Sequence, residues 1–533
     1  MPAARPTDRR PRVVIVGGGF GGLACAKGLA GARVDVLLID RRNYHQFTPL
    51  LYQVATALLS PPDIAYPFRA SLRHQRNAQF RQARIVAVDL EQRLLRTASG
   101  ERIRYDYLVL ATGSENDYFG NRDLAEATLG MKTLEEAQRL RNHVLACLEH
   151  AAATDDQVER RRWLTFLVVG GGPSGVEYAG ALIELLKLVL GREYPGLPRA
   201  EARIVLVEGA PRLLPPLPEK LGRYAQRVLK RRGVEVVTGA LVATVKGDRV
   251  LLSNGVEIQA RTVVWSAGVQ PTDPIGADKQ PGARARRLAV DERLRLRGHP
   301  EAFVIGDLAS VVEDGRELPM LSPPAIQEGR FVARAITDAI QGTSRSDPVF
   351  CYRDRGTMAV IGRNSAVASI WGLRLTGIAG WVAWLAVHLY YLIGFRNRLV
   401  VLINWGWNYL RTDRPIRIIT TSDSDPAVNQ LTAITEETPA APGRWDPGSA
   451  SSSAAADLPQ TEHQPASTRG CAAQPWGWPA GSSQPEPRRR MEGLARHDNP
   501  QEVAGMQALQ LTAAQTIEPS RGFPTGSGGP GRC

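Results

Sequence analysis

The chain has few cysteines, and no two of the five, Cys25, Cys147, Cys351, Cys471 and Cys533, are spaced as C-x-x-C. Zinc and iron–sulfur frameworks depend on such close pairs, so both are excluded and no metal site is expected. The opening residues, MPAARPTDRRP, lack an apolar core, so no secretory signal is expected, and 1–11 reads as a disordered N-terminus. Acidic residues are in deficit: 66 Lys and Arg against 53 Asp and Glu leave a net charge of +13. That excess suits an anionic membrane surface or the phosphates of a dinucleotide. Nucleic acid is set aside as a partner, because the arginines are scattered and no recognition motif accompanies them. The segments HQRNAQFRQAR and RARRLAVDERLRLR read instead as solvated faces. Beyond about Thr421 apolar periodicity is missing too. The Pro-, Ser-, Ala- and Gly-rich stretch 422–533 reads as a disordered tail without a catalytic role, and its carboxylates outnumber its arginines.

What the remaining chain does contain is one phrase written twice, VVIVGGGFGG from Val13 to Gly22 and FLVVGGGPSG from Phe166 to Gly175. Each copy opens on a short apolar, β-branched run of the kind that forms a buried parallel strand. Each continues as G-x-G-x-x-G, with Gly17, Gly19 and Gly22 in the first and Gly170, Gly172 and Gly175 in the second. In this fingerprint the first glycine allows a tight turn and the second lets a pyrophosphate approach the backbone. The third lets helix pack on strand. The helices that follow aim their N-termini, with free N–H groups and a favourable dipole, at an anion. Two glycine turns without any ligand are the bland alternative, and the next strand decides against it. VDVLLID ends in Asp40 and ARIVLVE ends in Glu208, acids suited to ribose hydroxyls. The second acid lies farther on than usual, which a longer helix and the loop REYPGLPRAE explain. Two dinucleotides follow, most simply FAD and a nicotinamide. Glu208 repels a 2′-phosphate and so favours NADH, a preference that nearby Arg212 weakens without reversing.

Two further strands, YDYLVLATGS and TVVWSAGV, end in the small residues Ala111-Thr112-Gly113 and Ala267-Gly268, suited to passing close over a cofactor. EAFVIGDLA places Asp307 after a strand, where its carboxylate can hold ribityl or pyrophosphate groups. The order of these pieces, from about Arg12 to Ile340, resembles the two-dinucleotide-binding-domain flavoproteins. Within them, RRNYHQFTPLLYQVAT (Arg41 to Thr56), GGGPSGVEYAGAL (Gly170 to Leu182) and the aromatic C-terminal region resemble the type II, non-proton-pumping NADH:quinone oxidoreductases. The resemblance implies an α/β chain with two Rossmann-like domains, the NAD domain inserted in the FAD domain. The FAD domain then spans 12–130 and 276–345, the NADH domain 131–275, and a helical membrane-anchoring region 346–421. The first glycine turn holds FAD and the second NADH.

From Leu375 to Phe395 the chain runs LTGIAGWVAWLAVHLYYLIGF, with His388 its only ionisable side chain. As one helix it measures roughly 31 Å, enough to cross a bilayer core. Yet Trp381, Trp384, His388, Tyr391 and Phe395 fall on one face. An aromatic stripe along a whole helix fits one lying in the membrane interface. Arg374, Arg396 and Arg398 bracket the segment, and RLVVLINWGWNYL adds a second aromatic-apolar stretch. Three readings stand: an in-plane helix, a spanning helix over 375–395, and a buried helix or dimer contact. The family resemblance agrees with the first, monotopic on the cytoplasmic face of the cell membrane, and implies a homodimer and a membrane quinone as acceptor.

Hydride transfer from NADH to a flavin and two-electron transfer on to a quinone need little acid–base catalysis. The protein aligns the rings and tunes their charge. By resemblance Glu177, just after the second fingerprint, orients the nicotinamide side. The bland reading is that it complements the helix N-terminus. Thr48 and Pro49 lie along the flavin ring by the same resemblance. The family's Ala-Gln-x-Ala-x-Gln phrase corresponds here to SPPAIQEGRFVARAI from Ser322. Ala325, Ile326 and Gln327 are therefore the candidate quinone contacts, while Ser322-Pro323 replaces the leading Ala-Gln. Gln327 alternatively caps backbone groups. Two competing functions are carried. A sulfide:quinone-type reductase needs cysteines facing the flavin, and Cys147 reads as lying on a surface helix, Cys351 in FCYRDRG. A non-turnover NADH-sensing flavoprotein would use its long tail to signal.

Overall fold

The structure is a computed structural model and describes residues 9–272, 287–342, 348–411, 414 and 416–420. The tail 422–533 and most of 1–11 lie outside the described residues. In chain order the principal elements begin with β1 (Arg12–Val16), α1 (Phe20–Gly28), β2 (Asp35–Asp40), β3 (Ala78–Gln82) and β4 (Tyr107–Leu110). Next come α2 (Leu134–Ala153), β5 (Thr165–Val169), α3 (Pro173–Val189), β6 (Arg203–Glu208), α4 (Glu219–Arg232), β7 (Val234–Thr238) and β8 (Thr262–Trp265). The chain then adds β9 (His299–Val304) and α5 (Ser322–Gln341). A three-stranded meander follows, β10 (Thr357–Gly362), β11 (Ser365–Ile370) and β12 (Leu373–Thr376). Last are α6 (Gly377–Tyr391) and α7 (Phe395–Arg411).

The two glycine phrases each nucleate a parallel sheet. The first is ordered β9-β4-β1-β2-β3, with the short strand Arg295–Leu296 added antiparallel outside β9. The second runs β8-β5-β6-β7, with Leu129–Gly130 outside β8, parallel throughout. Because β9 returns to the first sheet after the whole second sheet has been made, one unit interrupts the other. In each sheet the strand order reverses beside the strand that precedes the glycine turn. Such a reversal leaves a crevice at the strand C-termini, where ligands bind. Successive residues of β5 and β6 serve opposite faces, as strand geometry requires. Phe166, Val168, Ile204 and Leu206 join one core, and Leu167, Val169, Val205 and Val207 another.

Two sequence expectations need correction. Helix α2 is not a surface helix: Cys147 is fully buried, and its thiol and the His143 ring both meet the Thr262 hydroxyl of β8. It is instead a packing layer, opened by a capping box between Thr133 and Glu136. The apolar run 375–395 is also not one helix. Leu375 and Thr376 belong to β12, paired with Ala368 and Val367 of β11. Gly377 and Gly394, at φ +63° and +88°, bracket α6 with left-handed turns. The 15 residues of α6 measure about 22 Å, short of a bilayer core. Among the described residues no helix is long and apolar enough to cross a membrane, so the spanning reading is withdrawn. The aromatic stripe turns inward along α6, while its last member, Phe395, opens α7 and stays exposed. Trp384 is buried and stacks on His388 at 3.9 Å, with Tyr52 and Trp405 against its other sides. Ile378, Val382, Tyr390, Phe395, Trp407 and Leu410 are among the apolar side chains that α6 and α7 leave exposed.

Candidate functional site: two dinucleotide turns beneath an aromatic roof

The two glycine turns are built bond for bond alike. Gly17 N–H donates to the Ile39 carbonyl at 2.7 Å and Gly170 N–H to that of Val207 at 2.8 Å. Gly18 N–H donates to the Asp40 carboxylate and Gly171 N–H to that of Glu208. Both first glycines stand near φ +100°, and a Cβ on Gly17 would come within 2.2 Å of the Ala111 carbonyl oxygen. A Cβ on Gly22 or Gly175 would lie 1.9 Å from the oxygen of Gly17 or Gly170, so the third position admits no other residue. At the second position the opposite holds. In front of Gly19 and Gly172, the N-caps of α1 and α3, a Cβ would meet nothing within 4 Å. Each helix N-terminus therefore keeps room where a pyrophosphate oxygen would sit, and the residues fit the two dinucleotides.

The ribose acids are partly desolvated. Asp40 accepts from Gly18 N–H and from Arg42 N–H at 2.8 Å, and Glu208 from Gly171 N–H and from Ala210 N–H at 2.7 Å. Burial raises both carboxyl pKa values, and these N–H groups oppose it. Arg212 turns away from Glu208: its guanidinium donates to the carbonyls of Leu217 and Pro215, both at 2.7 Å. Ala111, Thr112 and Gly113 follow β4 in the first crevice. Thr112 Oγ1 donates to the Thr272 carbonyl, and Gly113, at φ +73°, faces open space. Ala267 and Gly268 follow β8 in the second, with Ala267 against Gly170.

Asp307 sits at the foot of α5. It accepts from the Ser114 hydroxyl, and Lys132 Nζ lies 3.7 Å away. Helix α5 reaches it because small residues let α5 lie directly on α1. A Cβ on Gly329 would meet the Gly21 carbonyl oxygen at 2.2 Å, and one on Gly28 would meet Ala333 at 2.7 Å. This contact brings Ala325 beside Gly306 and sets Ile326 partly buried next to it. Gln327 faces elsewhere. Its amide donates to the Arg353 carbonyl at 2.9 Å and accepts from Arg353 N–H at 3.1 Å.

Above the second turn lies Glu177, buried in the first turns of α3. Its Oε1 accepts from Val360 N–H of β10 and from the Trp384 indole of α6, both at 3.2 Å. Burial pushes its carboxyl up to about 8, against which these two donors act. The same roof covers the short 3-10 turn that carries Thr48 and Pro49, through Phe47 edge-on to His388. Trp405 of α7 donates to Gln53 Oε1 at 2.8 Å, and Gln53 donates to the Tyr52 hydroxyl at 2.7 Å. Asn397 ties α7 to the carbonyls of Pro62 and Asp63.

Several residues here carry no local motif. Glu328 is buried on α5, accepts from Gly306 N–H, and burial pushes its carboxyl up to about 7. His45 lies under the first turn with Nδ1 2.9 Å from the Gly18 carbonyl, and burial pushes its ring down to about 4. Gln46 clamps the start of α2, donating to the Lys132 carbonyl and accepting from Leu134 N–H. Glu135 is held down to about 2, against its burial, by a two-pronged Arg42 contact and the Tyr44 hydroxyl. A charged residue inside an amphipathic helix was the one available signal for Glu328.

The family model for pyridine nucleotide-disulphide oxidoreductases matches residues 11–329. The chain is 40% identical over 428 residues to the type II NADH:quinone oxidoreductase NdhA of Mycobacterium tuberculosis, covering 77% of this chain and 90% of that one. It is likewise 40% identical to the type II NADH:quinone oxidoreductase Ndh of the same organism, at 78% and 91% coverage. The structure of NDH2 from Plasmodium falciparum in complex with NADH superposes with a TM-score of 0.71 at 19% identity, covering 76% of this chain and all of that one. The sulfide:quinone oxidoreductase of Aquifex aeolicus has a TM-score of 0.58 at 20% identity, covering 73% and 91%. At those identities the two structures speak to the fold alone.

Proposed function

Since this chain belongs to the pyridine nucleotide-disulphide oxidoreductases and, within them, to the type II NADH:quinone oxidoreductases, we propose the following division of labour among its residues. The enzyme oxidises NADH and reduces a quinone without pumping protons, with FAD and NADH as its dinucleotides. Bound FAD supplies the redox chemistry, accepting a hydride and releasing two electrons.

The chain's own contribution is binding and positioning. The turn Gly17-Gly19-Gly22 with Asp40 would hold FAD, helped by Thr48 and Pro49, by Ala111, Thr112 and Gly113, and by Asp307. The turn Gly170-Gly172-Gly175 with Glu208, Ala267 and Gly268 would hold NADH. The single observation that carries this assignment is the paired geometry of the turns: each helix N-terminus is open at its second glycine, and each next strand ends in an acid held by the turn. With Arg212 engaged by Leu217 and Pro215, Glu208 would meet the ribose hydroxyls unopposed, which would favour NADH over NADPH. Glu177 would orient the nicotinamide side, and its carboxyl, pushed up to about 8 by burial, would hold a proton near neutral pH. Ala325 and Ile326 would border the quinone, and Gln327 would act as a positioning residue by fixing the Arg353 segment.

The exposed apolar side chains of α6 and α7 support attachment to one membrane leaflet, from which a hydrophobic quinone would enter. A cytoplasmic-face location and a homodimer belong to this reading on the family resemblance alone, as does the division into 12–130 with 276–345, 131–275 and 346–421. The test is NADH oxidation by the protein in sealed quinone-containing vesicles, followed together with the internal pH. Quinone-dependent oxidation that leaves the internal pH unchanged is expected, the one proton consumed per NADH being drawn from the outer medium. Oxidation that ignores quinone, or that acidifies one side, would contradict the proposal.

A further inference from the structure

Helix α4, EKLGRYAQRVLKRR, packs one face on the protein and offers the other to solvent. Leu221, Ala225, Val228 and Leu229 are buried, while Lys220, Arg223, Arg227, Lys230 and Arg231 are exposed. The helical period gathers these five cations into a stripe about 100° wide. Arg223 pairs with Glu219 at 3.1 Å on the helix itself. Among the described residues no ion pair engages Lys220, Arg227, Lys230 or Arg231. Four of the five, with Gln226, line an open depression of about 610 Å³. No residue assigned above to dinucleotide binding lies on this helix.

What lies beside the stripe identifies its partner. Tyr224 of α4 touches Ser365 of β11 at 3.2 Å, and its hydroxyl lies beside Gly377, the first residue of α6. Lys220, Arg227 and Arg231 stand at i−4, i+3 and i+7 from Tyr224 and therefore share its side of the helix. The basic stripe thus borders the exposed apolar surface. Trp371 and Leu373, at the β11–β12 hairpin next to α4, are 80% and 63% exposed, and Ile378 on α6 is 63% exposed. A nucleic acid would satisfy the cations and leave these side chains in water. An acidic protein would need an apolar patch of its own matched to that border, whereas a bilayer presents one everywhere beneath its headgroups. A bilayer with anionic headgroups offers both phases at the spacing of one helix diameter.

We infer that the outer face of α4 is a headgroup-binding surface that selects membranes rich in anionic phospholipid, beside the apolar contact made by α6 and α7. This rests on the membrane attachment proposed above and adds to it a lipid specificity carried by a helix of the NADH-binding half. Contact through α4 also fixes the rotation of the molecule on the membrane, because a second anchor stands off the axis of the apolar one.

The test uses the full-length, flavin-loaded protein in flotation with two vesicle types: phosphatidylcholine alone, and phosphatidylcholine partly replaced by phosphatidylglycerol. The variant is Lys220→Gln/Arg227→Gln/Arg231→Gln. Wild type is expected to prefer the anionic vesicles, less so at high salt. Each cation removed should lower partitioning about fivefold, so the triple variant should lose about a hundredfold on anionic vesicles and nothing on neutral ones. Unchanged flavin reduction by NADH shows that the variant is folded. A triple variant that keeps the anionic preference overturns the inference, as does a wild type that binds both vesicles equally, and in either case the apolar attachment stands. Wild type that binds neither vesicle removes the membrane reading itself. Loss of duplex nucleic-acid binding with unchanged vesicle binding would assign the face to a different partner and overturn the inference.

Discussion

Glu177 is the residue on which chemistry and stability meet. Its carboxyl is unfavourable as an ion, so the folded protein holds a proton that the unfolded chain releases at about 4.5. The stability linked to that proton is fully present below the unfolded value and is lost as pH rises toward about 8. Thermal melting of Glu177→Gln should therefore match wild type near pH 5 and exceed it increasingly up to about pH 8, by an amount on the order of a few kcal/mol. Equal pH dependence in both proteins would show that Glu177 is ionised throughout. Trp384→Phe removes one of the two donors that favour the anion. It should move the Glu177 titration upward by roughly one unit, read in the pH profile of kcat with NADH and a short-chain quinone. A structural role alone would lower activity without moving the profile. Glu208→Gln should raise KM for NADH roughly tenfold or more and narrow the preference over NADPH, while FAD stays bound. The two glycine turns, and Asp40 and Glu208 at the ends of β2 and β6, were legible because their spacing sets that backbone geometry. Glu328, His45 and the Trp384–Glu177 contact were not, since their partners lie far away in the chain. Gln327 was read as a quinone contact or as a cap on backbone groups, and its hydrogen bonds to the Arg353 backbone match the second, though the loop that supplies Arg353 has no pattern of its own.

Among elements, the two glycine turns give the most discriminating pair of substitutions. Gly175→Ala places a methyl 1.9 Å from the Gly170 oxygen, and Gly22→Ala does the same against Gly17. The first should abolish NADH binding, measured by flavin reduction, in a protein that still purifies yellow. The second should yield colourless protein. Loss of flavin in both, or in neither, would mean the two turns are not assigned to separate dinucleotides. The helices show why the remainder of the pattern was harder to read. Hydropathy over 375–395 could not reveal that Leu375 and Thr376 complete a meander or that Gly377 and Gly394 turn the chain. The aromatic stripe was correctly placed on one face, but periodicity does not say whether that face meets lipid or protein. Through Trp384 it meets protein, over Tyr52 and Glu177, and only Phe395 is left exposed. Helix α2 was misjudged as well: it was read as a surface helix, while His143 and Cys147 meet Thr262.

At the scale of the whole molecule, a repeated phrase became two parallel sheets, and the return of β9 to the first makes the second an insertion. The two parallel sheets follow from strand runs and glycine turns, because parallel strands need crossovers and crossovers carry these fingerprints, whereas the insertion was implied by the family resemblance alone. The roof of β10 to β12, α6 and α7 was visible only as aromatic composition. Its placement over Thr48 and Glu177 emerges from contacts between the beginning and the end of the described chain. The arrangement makes one claim above the others: two dinucleotides meet at one site, and electrons entering from NADH leave to quinone. Anaerobic stopped-flow on the detergent-purified protein, following flavin absorbance, tests it most directly. NADH should bleach the flavin, a short-chain quinone should restore it rapidly, and sulfide in a parallel run should leave it unchanged. Bleaching by NADH without recovery on quinone, or bleaching by sulfide alone, would contradict the claim.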